Sequence, residues 1–463
     1  MIPRVILAWV VCFVLGCSNP FLLDLTIVVP EGPDPLSGVD HVRLGVSNPV
    51  GEDLFEVVDP RQLQVEIEID AKNTIGTVFL EGFSGGELVA RGETPPLLFE
   101  PSNGGFSLLV ASVGVSSVLR PRLESAGKNM LSILLMGMGL LLVGGETGEG
   151  RLLDSAVLYD FFDHRLIEVE ALPEKRKGAV AAVCGAGCGV VFLGEKEDGS
   201  LANSLMRFDG NGWKVFADDL APGERRKDAS TVLLPDGNYL VLGGVGVADE
   251  LKNYLLLEPG ADVTLPKLRV FGAGGLVSRT KPAVAATNGS TVLVAGGQKS
   301  GEIEAELYFH LSGSVQRIEL PGPDLADGAA AVALDDGRIV LVGGRDESGQ
   351  ALRDAWVVET ASGEVKHLPQ TLAQGRFGLQ IVGSGETLVV IGGFTDTGLA
   401  PQVEFLATKD LSLLRETPLQ VPRASHVVEP LSPGSLLVVG GADASDTVKF
   451  LELCQTQSKF DGL

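Results

Sequence analysis

The sequence predicts an all-β chain, most of it a radial array of small repeated sheets. One apolar strand ending in a glycine pair, LLLVGG at 140–145, returns as VVFLGE at 190–195, YLVLGG at 239–244, VLVAGG at 292–297, IVLVGG at 339–344, LVVIGG at 388–393 and LLVVGG at 436–441. Counted from the first glycine of each copy (194 for VVFLGE), the steps are 50, 49, 53, 47, 49 and 48 residues. A period near fifty that closes each time on a buried-type strand and Gly-Gly is the mark of blade-like sheets repeated around an axis. Glycine is abundant, 60 of 463 residues, which many tight turns require.

The elements of one repeat follow in order. A basic residue opens the first strand in most copies: Pro121-Arg122, Lys175-Arg176, Arg225-Arg226, Arg279, Arg376 and Pro422-Arg423, with none in the fifth. A glycine turn then leads into the second strand, as at 235–237, 288–289 and 335–337, which are hairpin-type sequences. The glycine pair ends that strand. An acidic loop comes next, followed by a third strand (155–159 or 355–359, for example) and a fourth (166–171 or 365–368).

Four strands per repeat with Gly-Gly closing the second resembles the kelch motif, over roughly residues 114–457. The resemblance implies a seven-bladed kelch-type β-propeller at 114–463. The kelch aromatic pair is mostly missing; Tyr159, Trp213 and Trp356 are its remnants. After the third strand of the last repeat only a poor candidate for a fourth remains. Residues 113–119 read as a strand directly before the first repeat, so they are expected to close blade 7 and cover its edge.

Ahead of the repeats, Leu23, Leu25, Ile27 and Val29 alternate with polar residues, as do Val42, Leu44 and Val46, and Val65, Ile67 and Ile69. Short period-2 runs between Pro-Gly-rich turns predict a small Ig-like β-sandwich at 17–113, serving as a stalk. Residues 1–16 carry Arg4 and an apolar run from Val5 to Leu15, which reads as a secretory signal too short to span a bilayer. It ends Val14-Leu15-Gly16-Cys17, and this resembles the lipobox of bacterial lipoproteins. The resemblance implies that Cys17 is lipidated and, with Ser18 after it, that the anchor sits in a Gram-negative outer membrane, facing the periplasm or the cell surface.

A formal net charge of −24 repels phosphate backbones, so no nucleic-acid partner is expected. Cys184 and Cys188 flank a three-residue hairpin turn, a spacing that favours a disulfide over free thiols or a metal site in an exported protein. Cys454 has no evident partner and reads as a buried thiol. The loops after each Gly-Gly carry Glu146, Glu149, Glu195, Glu197, Asp198, Asp346, Glu347, Asp396 and others, and share one face with Arg122, Arg176, Arg226, Arg279, Arg376 and Arg423. Those arginines have two readings: a polar mouth that holds a ligand, or internal bridges to neighbouring loops.

The five histidines lack metal spacing, and the tyrosines and histidines that a galactose-oxidase-type copper site needs are missing. No cofactor or metal is expected. The favoured function is a non-catalytic, membrane-anchored scaffold that binds a protein or polysaccharide at the cell envelope. The alternative is a carbohydrate-active lyase, epimerase or hydrolase with its site at one propeller mouth, because such sites assemble from residues far apart in sequence.

Overall fold

The structure is a computed structural model. It describes residues 6–13, 21–47, 54–59, 64–68, 75–98 and 106–455, apart from 126, 186, 219, 248–250, 252, 260–265, 272–274, 298–304, 433 and 444–447. Cys17 lies outside the described residues. Among the described residues the chain is all-β, without α-helix, and most of it is built of small antiparallel four-stranded sheets.

Each of the first six repeats forms one such sheet with its strands in chain order. In the first repeat these are Leu131–Leu135, Gly139–Val143, Ala156–Asp160 and Arg165–Glu168. The second strands are the apolar strands that precede the glycine pairs, and they are fully buried: Leu140, Leu141, Leu142 and Val143 are all 0 % exposed. The fourth strands alternate towards solvent, as in Glu364–Leu368. The first strands of consecutive repeats touch one another, and Val427–Ser432 of the last touches Leu131–Leu135 of the first.

The last sheet is completed from the other end of the chain. Ser116–Arg122 pairs antiparallel with Phe450–Gln455, which in turn pairs with Ser435–Val439. Leu119 and Leu123 enter the same apolar cluster as Leu437, Val439, Leu451 and Leu453. Arg122 therefore ends an outer strand and does not open the first strand of repeat 1. The residue in that slot is Gly127, whose carbonyl accepts the Gly441 N–H.

The glycine pairs have positive φ throughout, for example 62° and 95° at Gly144 and Gly145. This left-handed backbone is open to glycine and strained for other residues. In the second repeat the left-handed pair is Leu193 (60°) and Gly194 (93°). The true register there is one residue earlier than Gly194-Glu195, and a buried leucine stands where six copies have glycine.

The N-terminal region forms two sheets around one cluster. Phe21–Val28 pairs antiparallel with Ile6–Phe13 and parallel with Phe106–Leu109, while Ile6–Phe13 also pairs parallel with Gln64–Glu68; part of the segment read from the sequence as a signal is thus an interior strand of this sheet, ahead of the expected boundary at residue 17. The second sheet runs antiparallel through His41–Ser47, Ile75–Ser84 and Glu87–Glu93. Leu25, Ile27 and Leu108 from one sheet meet Val42, Leu44, Val46, Val78 and Leu80 from the other. This region is docked on the repeats. Ser107 N–H donates to Phe162 O at 2.7 Å, Gln455 Nε2 donates to Arg91 O at 3.2 Å, and Arg122 pairs with Glu31 at 2.7 Å.

Candidate functional site at the ring mouth and central cavity

The first strands enclose a cavity of about 540 Å³, which meets a second of about 560 Å³ at one mouth. Leu131, Ser230, Gln380 and His426 line both, so the two are continuous. The mouth is shaped by one residue per repeat in left-handed conformation: Asn129, Gly178, Asp228, Lys281, Gly328, Gly378 and Ser425, with φ between 49° and 73°. Several are joined through the backbone across repeats. Asp228 N–H donates to Gly178 O (2.8 Å), Lys281 to Asp228 (2.8 Å), Gly378 to Gly328 (2.7 Å) and Asn129 to Ser425 (2.9 Å).

Immediately before these residues, short cross-strand pairs form the rim, and they differ from repeat to repeat. Lys128 bridges to Glu146. Lys177 pairs with Glu195 at 2.6 Å, and Glu195 also takes Lys227; the two ammonium groups hold its carboxyl below the usual carboxylate range. Asp327 pairs with Arg345 through contacts of 2.5 and 2.9 Å. In the sixth repeat the pair is aromatic. Phe377 stacks on Phe394 at 5.5 Å between ring centroids, and the Arg345 guanidinium lies over Phe377 at 5.0 Å. Phe394 is 38 % exposed. Other loop carboxylates cap their own turns: Asp198 accepts from Ser200 and Asp346 from Ser348 and Gln350.

Five of the six arginines are buried, and of these only Arg176 is among the described residues lining the mouth cavity. Arg176, Arg226, Arg279, Arg376 and Arg423 are 0–4 % exposed. Each guanidinium donates to the carbonyl of the first left-handed residue after the second strand: Leu193, Gly243, Gly296, Gly392 and Gly440, at 2.9–3.5 Å. Each also reaches the third strand of its repeat. Arg279, Arg376 and Arg423 meet the buried carboxylates Glu306, Glu404 and Glu452, all 0 % exposed. Arg176 meets Ser204 Oγ at 2.6 Å, and Arg226 meets Asn253 Oδ1. Where the arginine is missing, the carboxylate slot is apolar: Val157 in repeat 1 and the fully buried Trp356 in repeat 5. These arginines clamp the turns after the second strands. Burial lowers the pKa of Arg226 to about 10, which still leaves it charged at neutral pH.

Cys184 and Cys188 are joined in a disulfide, Cα to Cα 5.0 Å, across the turn between the first two strands of repeat 2. Arg207 Nε donates to Cys188 Sγ at 3.1 Å. Cys454 is a buried free thiol, and burial pushes its pKa up to about 12. No group of three or more metal-ligating side chains forms among the described residues.

Two chemically unusual groups line the cavities, and reading the motifs did not single out either as a site. His426 is 4 % exposed, and neither ring nitrogen has a hydrogen-bond partner. Its slot holds Met130, Ala179, Ala229, Pro282, Ala329 and Leu379 in the other repeats. Burial, then the Arg423 charge, lowers its pKa to about 3. Glu429 accepts from Ser132 Oγ at 2.5 Å, and burial raises its pKa.

His426 sets an acid-stability prediction. The unfolded imidazole titrates near 6.5 and the folded one near 3. The stability this side chain contributes is therefore complete above pH 6.5 and is lost as pH falls towards 3. Its slope is at most about 1.4 kcal/mol per pH unit. His426→Met, which restores the residue of repeat 1, is expected to flatten urea-unfolding stability against pH between 6.5 and 4. Parallel profiles for the two proteins would refute this.

Compared with known proteins, the chain matches no family model and no curated sequence.

Proposed function

We propose that this chain is a lipid-anchored, seven-bladed kelch-type propeller, carried on an Ig-like stalk, which binds a protein or polysaccharide at the cell envelope without chemistry of its own. The observation that carries the binding reading is the rim of the sixth repeat. There an exposed aromatic stack, Phe377 on Phe394, lies beside the Arg345–Asp327 ion pair. A rigid aromatic face next to a guanidinium offers apolar area and directed hydrogen bonds together, which sugar rings and peptide side chains both use. The ring reading is supported by the contact between the first strands of the first and last repeats. The envelope reading is supported by the sequence Val14-Leu15-Gly16-Cys17 and by the Cys184–Cys188 disulfide.

Two measurements test the proposal. Protease shaving of intact cells, coupled to crosslinking and pull-down, reports the side of the membrane and the partner. Phe394→Ala, exposed and so tolerated by the fold, is expected to reduce recovery of the crosslinked partner at least tenfold. Unchanged recovery would remove the rim from the site, and a protein recovered free of membranes with an unmodified Cys17 would remove the anchor.

A further inference from the structure

The central cavity carries a feature that the rim does not explain. Its wall is made of the first strands: alanine, valine, leucine and isoleucine supply most of the lining residues, but Ser132, Ser230, Thr231 and Gln380 line it too, and most of the surface that faces the cavity is polar. Among the described residues, Glu429 is the single carboxylate that lines it, and neither lysine nor arginine does. Sheet register gives the equivalent residues in the other repeats. Glu429 stands opposite Leu437 as Ile133 stands opposite Leu141, Ala182 opposite Val190 and Val332 opposite Val340. Val232, Ala285 and Val382 complete the set. Six repeats thus place an aliphatic side chain where the seventh places a carboxyl. Partial burial of a carboxylate is unfavourable, and one serine hydroxyl satisfies only part of its accepting capacity. A position that breaks the local rule of its own repeat at such a cost points to function.

A second observation points to the same place. His426 lines this cavity too, at 4 % exposure, and neither ring nitrogen has a hydrogen-bond partner among the described residues. Buried polar atoms are seldom left without partners, and such a group in a cavity wall is open to water or to a ligand. A neutral imidazole offers one acceptor and one donor.

We propose that the central cavity binds a small organic cation, an ammonium group on an apolar skeleton, with the ammonium held by Glu429 and Ser132 and the skeleton against the alanine and valine wall. The chemistry selects this class. A polyol would leave the Glu429 carboxylate without a counter-charge. A metal ion would find one carboxylate and one imidazole, too few to replace its hydration. An amine needs one counter-charge and a few acceptors, and its hydrocarbon gains from burial. The volume lies within the range of small-molecule sites. The site is separate from the rim and does not depend on it.

The test uses the full-length protein in mild detergent, with cyclohexylamine as probe and cyclohexanol as its neutral counterpart, read by saturation-transfer NMR and thermal shift. Cyclohexylammonium is expected to bind and cyclohexanol not. Glu429→Gln should weaken amine binding at least tenfold, and Ser132→Ala by a smaller factor. Glu429→Val installs the residue found in three sister repeats; it should abolish binding while raising the melting temperature, which separates loss of the site from loss of the fold. Equal binding of the alcohol, undiminished amine binding by Glu429→Gln, or no amine binding to folded protein would each overturn the proposal. Diffuse attraction to the acidic surface would survive Glu429→Gln and so counts against it.

Discussion

A chain that begins at Pro121 is expected to fail to fold as a soluble species, whereas one that begins at Val110 keeps the repeat region folded. The two differ only in 110–120, yet that segment supplies most of the outer strand of the last sheet. Ser116, Ser117 and Val118 lie opposite Cys454, Leu453 and Glu452. Leu119 is 2 % exposed and packs in the cluster that holds Leu451 and Leu453. Ser116 Oγ donates to Glu452, and Gly114 N–H donates to Gln455 O at 3.0 Å. Removing them opens a sheet edge, exposes one large aliphatic contact at about 1.5–3 kcal/mol, and deprives a buried carboxylate of a donor at about 1–3 kcal/mol. Together the two quantified terms come to about 2.5–6 kcal/mol, a large fraction of the whole stability of a typical domain, roughly 5–15 kcal/mol. Leu119→Asp in the full chain is the matching point test, because it places a charge inside the cluster without shortening the protein. Equal melting temperatures for the chains starting at 110 and 121 would show that this pairing is dispensable.

Much of the architecture was legible in the sequence because two of its signals are backbone rules. Strands that end on a left-handed glycine pair must repeat that pair, and a strand buried on both faces must be apolar throughout. Those constraints located the second strands, and each four-stranded sheet follows from them. The second repeat shows where the signal fails. Leu193 adopts the left-handed conformation without being glycine, so spacing alone placed the pair one residue late. Arg122 was misplaced for a related reason: a Pro-Arg before an apolar run looks the same whether it opens a first strand or ends an outer one.

The site was less legible. A guanidinium on a strand entry carries no sequence mark of whether it points to solvent or into the sheet. A partial mark lay some thirty residues downstream, where a glutamate accompanies the arginine in repeats 4, 6 and 7; the slot is apolar in repeats 1 and 5, which lack the arginine, but also in repeats 2 and 3 (Met206 and Leu255), which have it. Glu429 had a signal of the same kind, a carboxyl among Ile133, Ala182, Val232, Ala285, Val332 and Val382. It becomes visible only once the register of all the first strands is fixed. The rim pairs are hard to align by motif, because their chemistry passes from Lys–Glu in repeats 1 and 2 to Asp–Arg in repeat 5 and Phe–Phe in repeat 6.

The second large effect is expected at a buried clamp. Arg376→Met should destabilise the protein by about 3–5 kcal/mol, and Glu404→Met by a similar amount, because each leaves a charge at 0 % exposure without its counter-charge. Burial already pushes both groups towards their neutral forms: it lowers the Arg376 pKa and raises that of Glu404. The pair therefore persists through mutual compensation more than through a large net gain. Arg376→Met combined with Glu404→Met should accordingly recover most of the loss and lie within about 1–2 kcal/mol of the parent protein. The chain contains its own precedent, since repeats 1 and 5 fold with Gly127 over Val157 and Ala326 over Trp356. What the double variant gives up is the pair of guanidinium bonds to Gly392 O and Gln402 O, each a backbone carbonyl at a turn or strand entry. Arg345→Met provides the contrast. Its partner Asp327 is 42 % exposed, and water takes over from the lost ion pair at a cost of about 0–1 kcal/mol. Urea unfolding of the four proteins in the cycle, with Arg345→Met alongside, measures all of this. Losses that simply add in the double variant would mean that the arginine holds the turn carbonyls independently of its glutamate, and that the clamp is two separate devices.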